Sequence, residues 1–99
     1  MLKTLLVNTA GTALNKTSVN VEPGAMEGAK RYYMTAAEAK GLTAVTYGTA
    51  ITTSGWTELT ANGAEITPTS GHAYIRVVEV DASNKPIAVG TTNINYGNV

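Results

Sequence analysis

Short apolar segments recur along the whole chain, separated by turn-forming residues at a spacing of about ten residues. The segments are rich in Val, Ile, Thr and Tyr, and Gly and Asn recur between them. β-Branched and aromatic residues favour strands, whereas Gly and Asn favour tight turns. A chain of 99 residues has room for one domain. We therefore expect a single all-β domain, a β-sandwich over residues 1–99.

The clearest strand lies towards the carboxyl end, at residues 73–82. Ile75 and Val77 share one face of this strand, and Val78 and Val80 share the other. The face of the strand that carries the apolar residues therefore changes between Val77 and Val78. Such a switch indicates either a bulge or a strand that is buried on both sides. We expect Ile75, Val77 and Val80 to belong to the core.

A polar turn and a returning strand complete a hairpin after this strand. Residues 83–85 form the turn, and Asn84 is suited to a left-handed backbone conformation. Pro86 begins the return strand, where its missing N–H group is tolerated. Ile87 and Val89 share a face of that strand, and we expect Val89 in the core.

Three further strands are predicted in the first third of the chain, at residues 4–7, 17–22 and 30–34. The second of them alternates, with its two valines on one face, and a Pro-Gly pair ends it. Residues 9–12 contain Thr, Ala and Gly, and we expect them to form a loop between the first two strands.

At most one short helix is predicted, near residues 36–40. Thr35 is placed to cap it, and Glu38 follows three residues later, as a capping box requires. Alanines favour the helix, and Gly41 is a natural end for it. A helix this short would depend on packing for its stability.

The dipeptide Asn62-Gly63 is a strong turn signal in the second half of the chain. We expect it to close a hairpin between the segments near Leu59 and Ile66.

Composition excludes several classes of function. The chain has 7 basic and 7 acidic residues, so its formal net charge is zero. Nucleic-acid binders and polybasic membrane anchors normally need a basic face. The absence of cysteine excludes disulfides, thiolate metal sites and a cysteine nucleophile. The apolar start of the chain is too short for a signal peptide, so, if Met1 is the natural start, we expect synthesis in the cytoplasm.

Few polar side chains are placed for catalysis. His72 is the only histidine, and a turn or surface role is the favoured interpretation over a metal-binding or catalytic one. Glu58 and Glu65 flank the Asn-Gly turn and could face each other as the carboxylates of a glycosidase do. Nothing else supports an active site, so we expect no enzyme and no catalytic residue.

A calcium loop is the remaining candidate for a metal site. Asp81, Ser83 and Asn84 resemble part of such a loop. Pro86 and Ile87 occupy the positions that follow, where further oxygen ligands would be needed. The favoured interpretation is a hairpin turn, with no metal and no cofactor.

The aromatic residues are the candidate contacts for a partner. The neighbours Tyr32 and Tyr33 point to opposite faces of a strand, so one ring should be at least partly exposed. Trp56 is interpreted as a core residue between the sheets, although an exposed Trp could stack on a sugar or anchor a partner. With Tyr96 near the carboxyl end, we take Tyr32, Tyr33, Tyr96 and Trp56 as possible partner-contact residues.

Residues 71–90, with the sequence GHAYIRVVEVDASNKPIAVG, resemble the closing hairpin of immunoglobulin-like and fibronectin-III-like modules. These modules are common in bacterial surface proteins and in tailed-phage virion proteins. The resemblance covers about a fifth of the chain and implies an immunoglobulin-like β-sandwich. Together with the small size, it suggests an accessory virion protein, namely a capsid decoration protein. Such a protein stabilises the assembled shell because it binds the shell alone.

Two functions from different classes follow from this resemblance. The first is a non-enzymatic virion protein that binds capsid or like subunits, as a monomer or a homo-oligomer, through residues 1–15 or 93–99 as a docking arm. The second is a module of a bacterial surface protein, located at the cell surface, which serves as a spacer or as a carbohydrate-binding unit. Neither needs a nucleic acid or a membrane as partner.

Overall fold

A computed structural model describes residues 1–98, which form two β-sheets that pack face to face. One sheet has the strand order β1-β8-β7-β4-β5 and the other the order β2-β3-β6. The strands are β1 (Lys3–Thr4), β2 (Leu6–Ala13), β3 (Lys16–Glu22), β4 (Lys30–Ala36), β5 (Thr57–Glu58), β6 (Ala64–Ile66), β7 (Tyr74–Val80) and β8 (Pro86–Asn93). A 3-10 turn at Ala39–Gly41 is the helical element of this part of the chain. The predicted all-β sandwich is confirmed, and no helix within residues 1–98 is long and apolar enough to span a membrane.

The main core lies between the two sheets. Val19 and Val21 of β3 and Ile75 and Val77 of β7 are fully buried there. These four side chains alternate with outward-facing residues, so the period-2 pattern of the sequence identifies the inner face of both strands. The core prediction for Ile75 and Val77 is therefore confirmed.

The second face of β7 is also buried, which explains the change of apolar face between Val77 and Val78. Val78 and Val80 form a smaller cluster with Tyr32 on the outer face of the five-stranded sheet. The long irregular segment between the 3-10 turn and β5 covers this cluster. A register shift in the pairing of β7 with β8 follows two residues later, between Glu79 and Val80. Val80 is thus buried as expected, but in the outer cluster.

Val89 is the exception among the predicted core residues, because it is only half-buried. It pairs with Val78, and so lies on the outer face of β8. The inner face of β8 carries Ala88 and Gly90 instead.

The amino-terminal segment passes from one sheet to the other. The strand predicted at residues 4–7 is interrupted at Leu5, whose N–H donates to the carbonyl of Val89 at 2.9 Å. β1 runs parallel to β8, whereas β2 pairs antiparallel with β3. The prediction of a loop at residues 9–12 is wrong, because these residues belong to β2. Gly11 is needed there for close approach, since a Cβ atom would overlap the backbone of Tyr96.

The 3-10 turn at Ala39–Gly41 agrees with the expectation of at most one short helix near residues 36–40, but the predicted start and cap of that helix are wrong. Thr35 and Ala36 continue β4 and pair with β7, where Ala36 lies opposite Tyr74. The capping residue of the 3-10 turn is Glu38, which makes no side-chain capping bond. Tertiary pairing of β4 therefore outweighs the local helix propensity of the alanines.

The hairpin expected around Asn62-Gly63 does not form either. Leu59 bonds to β4 in one sheet, whereas Ile66 pairs with β3 in the other. The Asn62 side chain accepts a hydrogen bond from the Val21 N–H at 2.6 Å, so the turn joins the two sheets.

The closing hairpin agrees with its prediction. Asn84 has φ 61°, in the left-handed region, and Pro86 begins β8. The Asp81 carboxylate accepts hydrogen bonds from the N–H groups of Ser83 and Lys85 at 2.9 and 3.0 Å. These bonds hold the turn closed.

Candidate functional site

The polar residues that were candidates for catalysis or metal binding lie in separate parts of the fold, and His72 and Asp81 make structural hydrogen bonds. His72 Nδ1 lies 2.7 Å from the Thr35 hydroxyl oxygen, and Asp81 holds the closing turn. Glu58 lies on β5 in one sheet and Glu65 on β6 in the other, so they do not face each other across one hairpin. Within residues 1–98, no three His, Cys, Asp or Glu side chains are grouped as metal ligands.

Trp56 is not positioned between the sheets as expected. It is half-buried and packs against the outer cluster of Tyr32, Val78 and Val80. Tyr32 itself is buried, because the irregular segment covers its face of the sheet. Neither ring therefore presents a broad open face in the isolated domain.

Tyr33 and Tyr96 are half-buried and pack against the main core. The Tyr96 hydroxyl donates to the carbonyl oxygen of His72 at 2.6 Å, and burial raises the pKa of Tyr96 above its ordinary value. The four aromatic candidates thus divide between the outer cluster and the main core, and they do not converge on one surface. Their role as partner contacts stays a prediction.

The expected docking arms are built into the sandwich. Thr9 of β2 donates from its hydroxyl to the Asn93 carbonyl at 2.8 Å and accepts from the Asn95 N–H at 3.0 Å. Gly97 donates its N–H to the Lys16 carbonyl at 3.0 Å. Residues 3–13 and 93–97 are thus bonded to the sandwich in the isolated domain, a docking role for them stays a prediction, and Val99 lies outside the described residues.

One open apolar site was not predicted. A cavity of about 580 Å³ lies where β1 begins, and exposed Met1, Met26 and Tyr47 are among its lining residues. Pro23 and Ile87 contribute further apolar lining. We call this the amino-terminal groove. The sequence offered no signal for it, because its residues come from five separate parts of the chain.

A buried ion pair supports one wall of the amino-terminal groove. Arg31 Nε lies 2.8 Å from Glu79 Oε1, and the two residues face each other on β4 and β7. The other Glu79 oxygen accepts a hydrogen bond from the Met26 N–H at 3.2 Å, and the Arg31 guanidinium donates to the Pro23 carbonyl. The pair therefore anchors the loop that carries Met26 to the sheet. Opposite charges at inward-facing strand positions were the available sequence signal, which was missed.

A second surface lies at the other end of the molecule, and we call it the carboxy-terminal pole. Its cavity of about 560 Å³ is lined by Asn15, Pro68, His72 and Tyr96, among others. Leu14, which forms a bridge with Gly97, is 60% exposed there.

The two surfaces are separated by almost the full length of the domain. β1 and β2 run in one direction from Lys3, beside the amino-terminal groove, to Leu14 at the carboxy-terminal pole. Eleven residues of strand span about 36 Å at about 3.3 Å per residue. The longest dimension of the molecule is 40 Å. The chain therefore enters at one end of the domain and leaves it at the other.

Comparison with known proteins identifies the fold. No protein-family model and no curated protein matches the sequence. Two solved structures are similar, one of domains 7, 8 and 9 of the S-layer protein SbsC and one of domains 4–9 of the surface layer protein SbsC. Each matches with a TM-score of 0.70 and 24% identity over 95% of this chain. The match covers 27% of the first chain and 14% of the second, so this chain spans well under two thirds of either. The chain thus has the β-sandwich fold found in these surface-layer structures, and neither match supports a phage capsid decoration protein.

Proposed function

We propose that this protein is a structural, non-enzymatic module of a bacterial surface protein and that it acts as a spacer between the parts joined to its two ends. The observation that carries the proposal is the position of these ends, at opposite poles of a domain 40 Å long. A module of this shape adds its own length to whatever chain contains it. Modules whose ends lie together would instead project sideways from the chain.

The structural comparisons favour this proposal over capsid decoration. Both similar structures are described as several domains of a surface-layer protein, and the match covers only part of each chain. A sandwich domain that occurs among others in one polypeptide is what a spacer requires. The carbohydrate-binding variant of this role has less support, because Trp56 packs against the outer cluster.

The hydrogen bonding of the two ends suits a domain that is pulled along its length. β1 is bonded to β8, and the segment around Asn95 is bonded to β2. Both ends of the chain are therefore tied to the sandwich before they leave it, the amino-terminal end to β8 and the carboxy-terminal end to the edge strand β2. A stretching force applied to the two ends would act on these hydrogen bonds in shear, along the strand direction, so that they resist the force together.

Small-angle X-ray scattering of fused copies tests the spacer role. Arrays of one, two and three copies, joined end to end, should gain close to 40 Å in maximum dimension with each copy. An increase of less than half that length per copy would overturn the proposal, because the ends would then not lie along the long axis.

Location needs a separate experiment. An antibody raised against the chain should label intact cells of the source bacterium, and brief treatment of those cells with an external protease should remove the signal. Labelling only after lysis would overturn assignment to the cell surface.

A further inference from the structure

We propose that the cavity at the carboxy-terminal pole is a binding site for a neutral saccharide. The inference goes beyond the spacer role and does not depend on it, because it is argued from the residues around this cavity alone. It also does not involve Trp56, which packs against the outer cluster.

Three loops at one end of the sandwich build the cavity. Asn15 lies in the turn between β2 and β3, and Tyr96 lies in the segment that follows β8. The loop between β6 and β7 contributes four further lining residues, which are Thr67, Pro68, Ser70 and His72. Loops that are held on a rigid scaffold are a frequent place for binding residues.

Hydrogen bonds join the three loops pairwise. The Lys16 ammonium donates to the Thr67 hydroxyl oxygen at 2.9 Å, which joins the first turn to the loop between β6 and β7. The Gly97 N–H donates to the Lys16 carbonyl at 3.0 Å, and the Tyr96 hydroxyl donates to the His72 carbonyl at 2.6 Å. Each loop is therefore bonded to the other two. A site that is ordered in this way before a ligand arrives loses less entropy on binding.

The polar groups around the cavity favour an uncharged ligand. Among residues 1–98, no Asp, Glu, Lys or Arg lines it, so a charged ligand would lose hydration without gaining a counter-charge. Asn15 and Ser70 are exposed there, and their side chains can both donate and accept hydrogen bonds. The Thr67 oxygen already accepts from Lys16, which leaves its O–H free to donate. Sugar hydroxyl groups also donate and accept, so they complement this set.

An aromatic ring gives the cavity an apolar side. Tyr96 packs against the main core and also lines the cavity, and its bond to the His72 carbonyl fixes the ring. Pro68 adds a second apolar group to the lining. A fixed aromatic ring offers the C–H face of a sugar a flat contact, while the polar groups bind its hydroxyls. The volume of about 560 Å³ lies within the range of about 300–1,000 Å³ that is typical of small-molecule sites.

A printed array of bacterial cell-surface glycans, with neutral and uronic-acid-containing members, tests the proposal. The protein should bind neutral glycans in preference to the acidic ones. Each bound glycan is then titrated in solution and followed by nuclear magnetic resonance. Resonances of Asn15, Ser70 and His72 should shift, and the ring protons of Tyr96 should show nuclear Overhauser contacts with C–H protons of the glycan.

Variants of exposed lining residues measure the contribution of single polar groups. Asn15→Gly and Ser70→Ala should each raise the dissociation constant about 2- to 10-fold, as expected for one lost hydrogen bond. Glycine tolerates the positive φ of 63° at residue 15, so the turn is kept while the amide is removed. Tyr47→Ala is the control, because Tyr47 is 56% exposed and lines the amino-terminal groove instead. It should leave glycan binding unchanged, and an unchanged melting temperature confirms that each variant folds.

Any of three outcomes would overturn the saccharide site. The array could show no binding or binding of acidic glycans alone. A bound glycan could shift resonances at the amino-terminal groove and none around Tyr96. Finally, Asn15→Gly and Ser70→Ala could both leave the dissociation constant unchanged. If fused copies still lengthen by about 40 Å each while no glycan binds, the spacer function stands and only the saccharide site falls.

Discussion

The buried ion pair between Arg31 and Glu79 allows a quantitative test of how this sandwich is stabilised. The two residues are 7% and 3% exposed, and the pair distance is 2.8 Å. Glu79→Gln keeps the size of the side chain but leaves the Arg31 guanidinium buried without a counter-charge. Removing one partner of a buried pair typically costs about 3–5 kcal/mol. We expect that loss in the free energy of unfolding.

A loss of this size is large for a small domain. A chain of this length has a total stability of about 5–15 kcal/mol. The melting temperature should therefore fall by at least about 12 °C, since each kcal/mol corresponds to roughly 4–8 °C in domains of this size. Urea denaturation followed by the fluorescence of Trp56, the only tryptophan, measures the change directly.

The exposed pair between Glu38 and Lys40 is the control. Its charged atoms are 3.3 Å apart, but both side chains are largely in solvent. Glu38→Gln should cost less than about 1 kcal/mol, because water screens such pairs. The double variant Arg31→Met with Glu79→Leu should recover much of the loss, since no charge is then left buried. Equal costs for Glu79→Gln and Glu38→Gln would refute the argument that burial makes the inner pair important.

Three further predictions concern packing and ionisation. Ile75→Ala should lower the unfolding free energy by about 2–4 kcal/mol, and an unchanged melting temperature would mean that the inner face of β7 is wrongly assigned. Gly90→Ala should destabilise by about 1–3 kcal/mol or more in urea titrations, because its methyl group would overlap the Leu5 carbonyl, whereas Gly24→Ala, with open space around it, should not. Burial raises the pKa of the Tyr96 hydroxyl above its ordinary value of 10.0 in the folded state. The stability that the neutral hydroxyl contributes is therefore fully present below pH 10.0 and is lost as the pH rises through the raised pKa. Tyr96→Phe should therefore lose less stability in alkaline solution than wild type, and identical alkaline profiles would contradict this reasoning.

Local sequence patterns are enough to predict the strand-rich character of the chain and its closing hairpin. Asn84 adopts the left-handed conformation that its residue type favours, and Pro86 begins the return strand. The alternation of β3 correctly placed Val19 and Val21 on one buried face. These features depend on turn chemistry and on alternation within one strand, and both are local properties of a few neighbouring residues.

The sheet that each strand joins depends instead on contacts between remote segments. Residues 9–12 and 35–36 have loop or helix propensity, but backbone pairing with β3 and β7 makes them strand. The amino-terminal groove and the Arg31–Glu79 pair likewise combine residues that are distant along the chain. The position of the two chain ends at opposite poles belongs to the same class. These features arise from contacts between remote segments, and the free energy of such contacts exceeds the small local preferences that a sequence pattern reports.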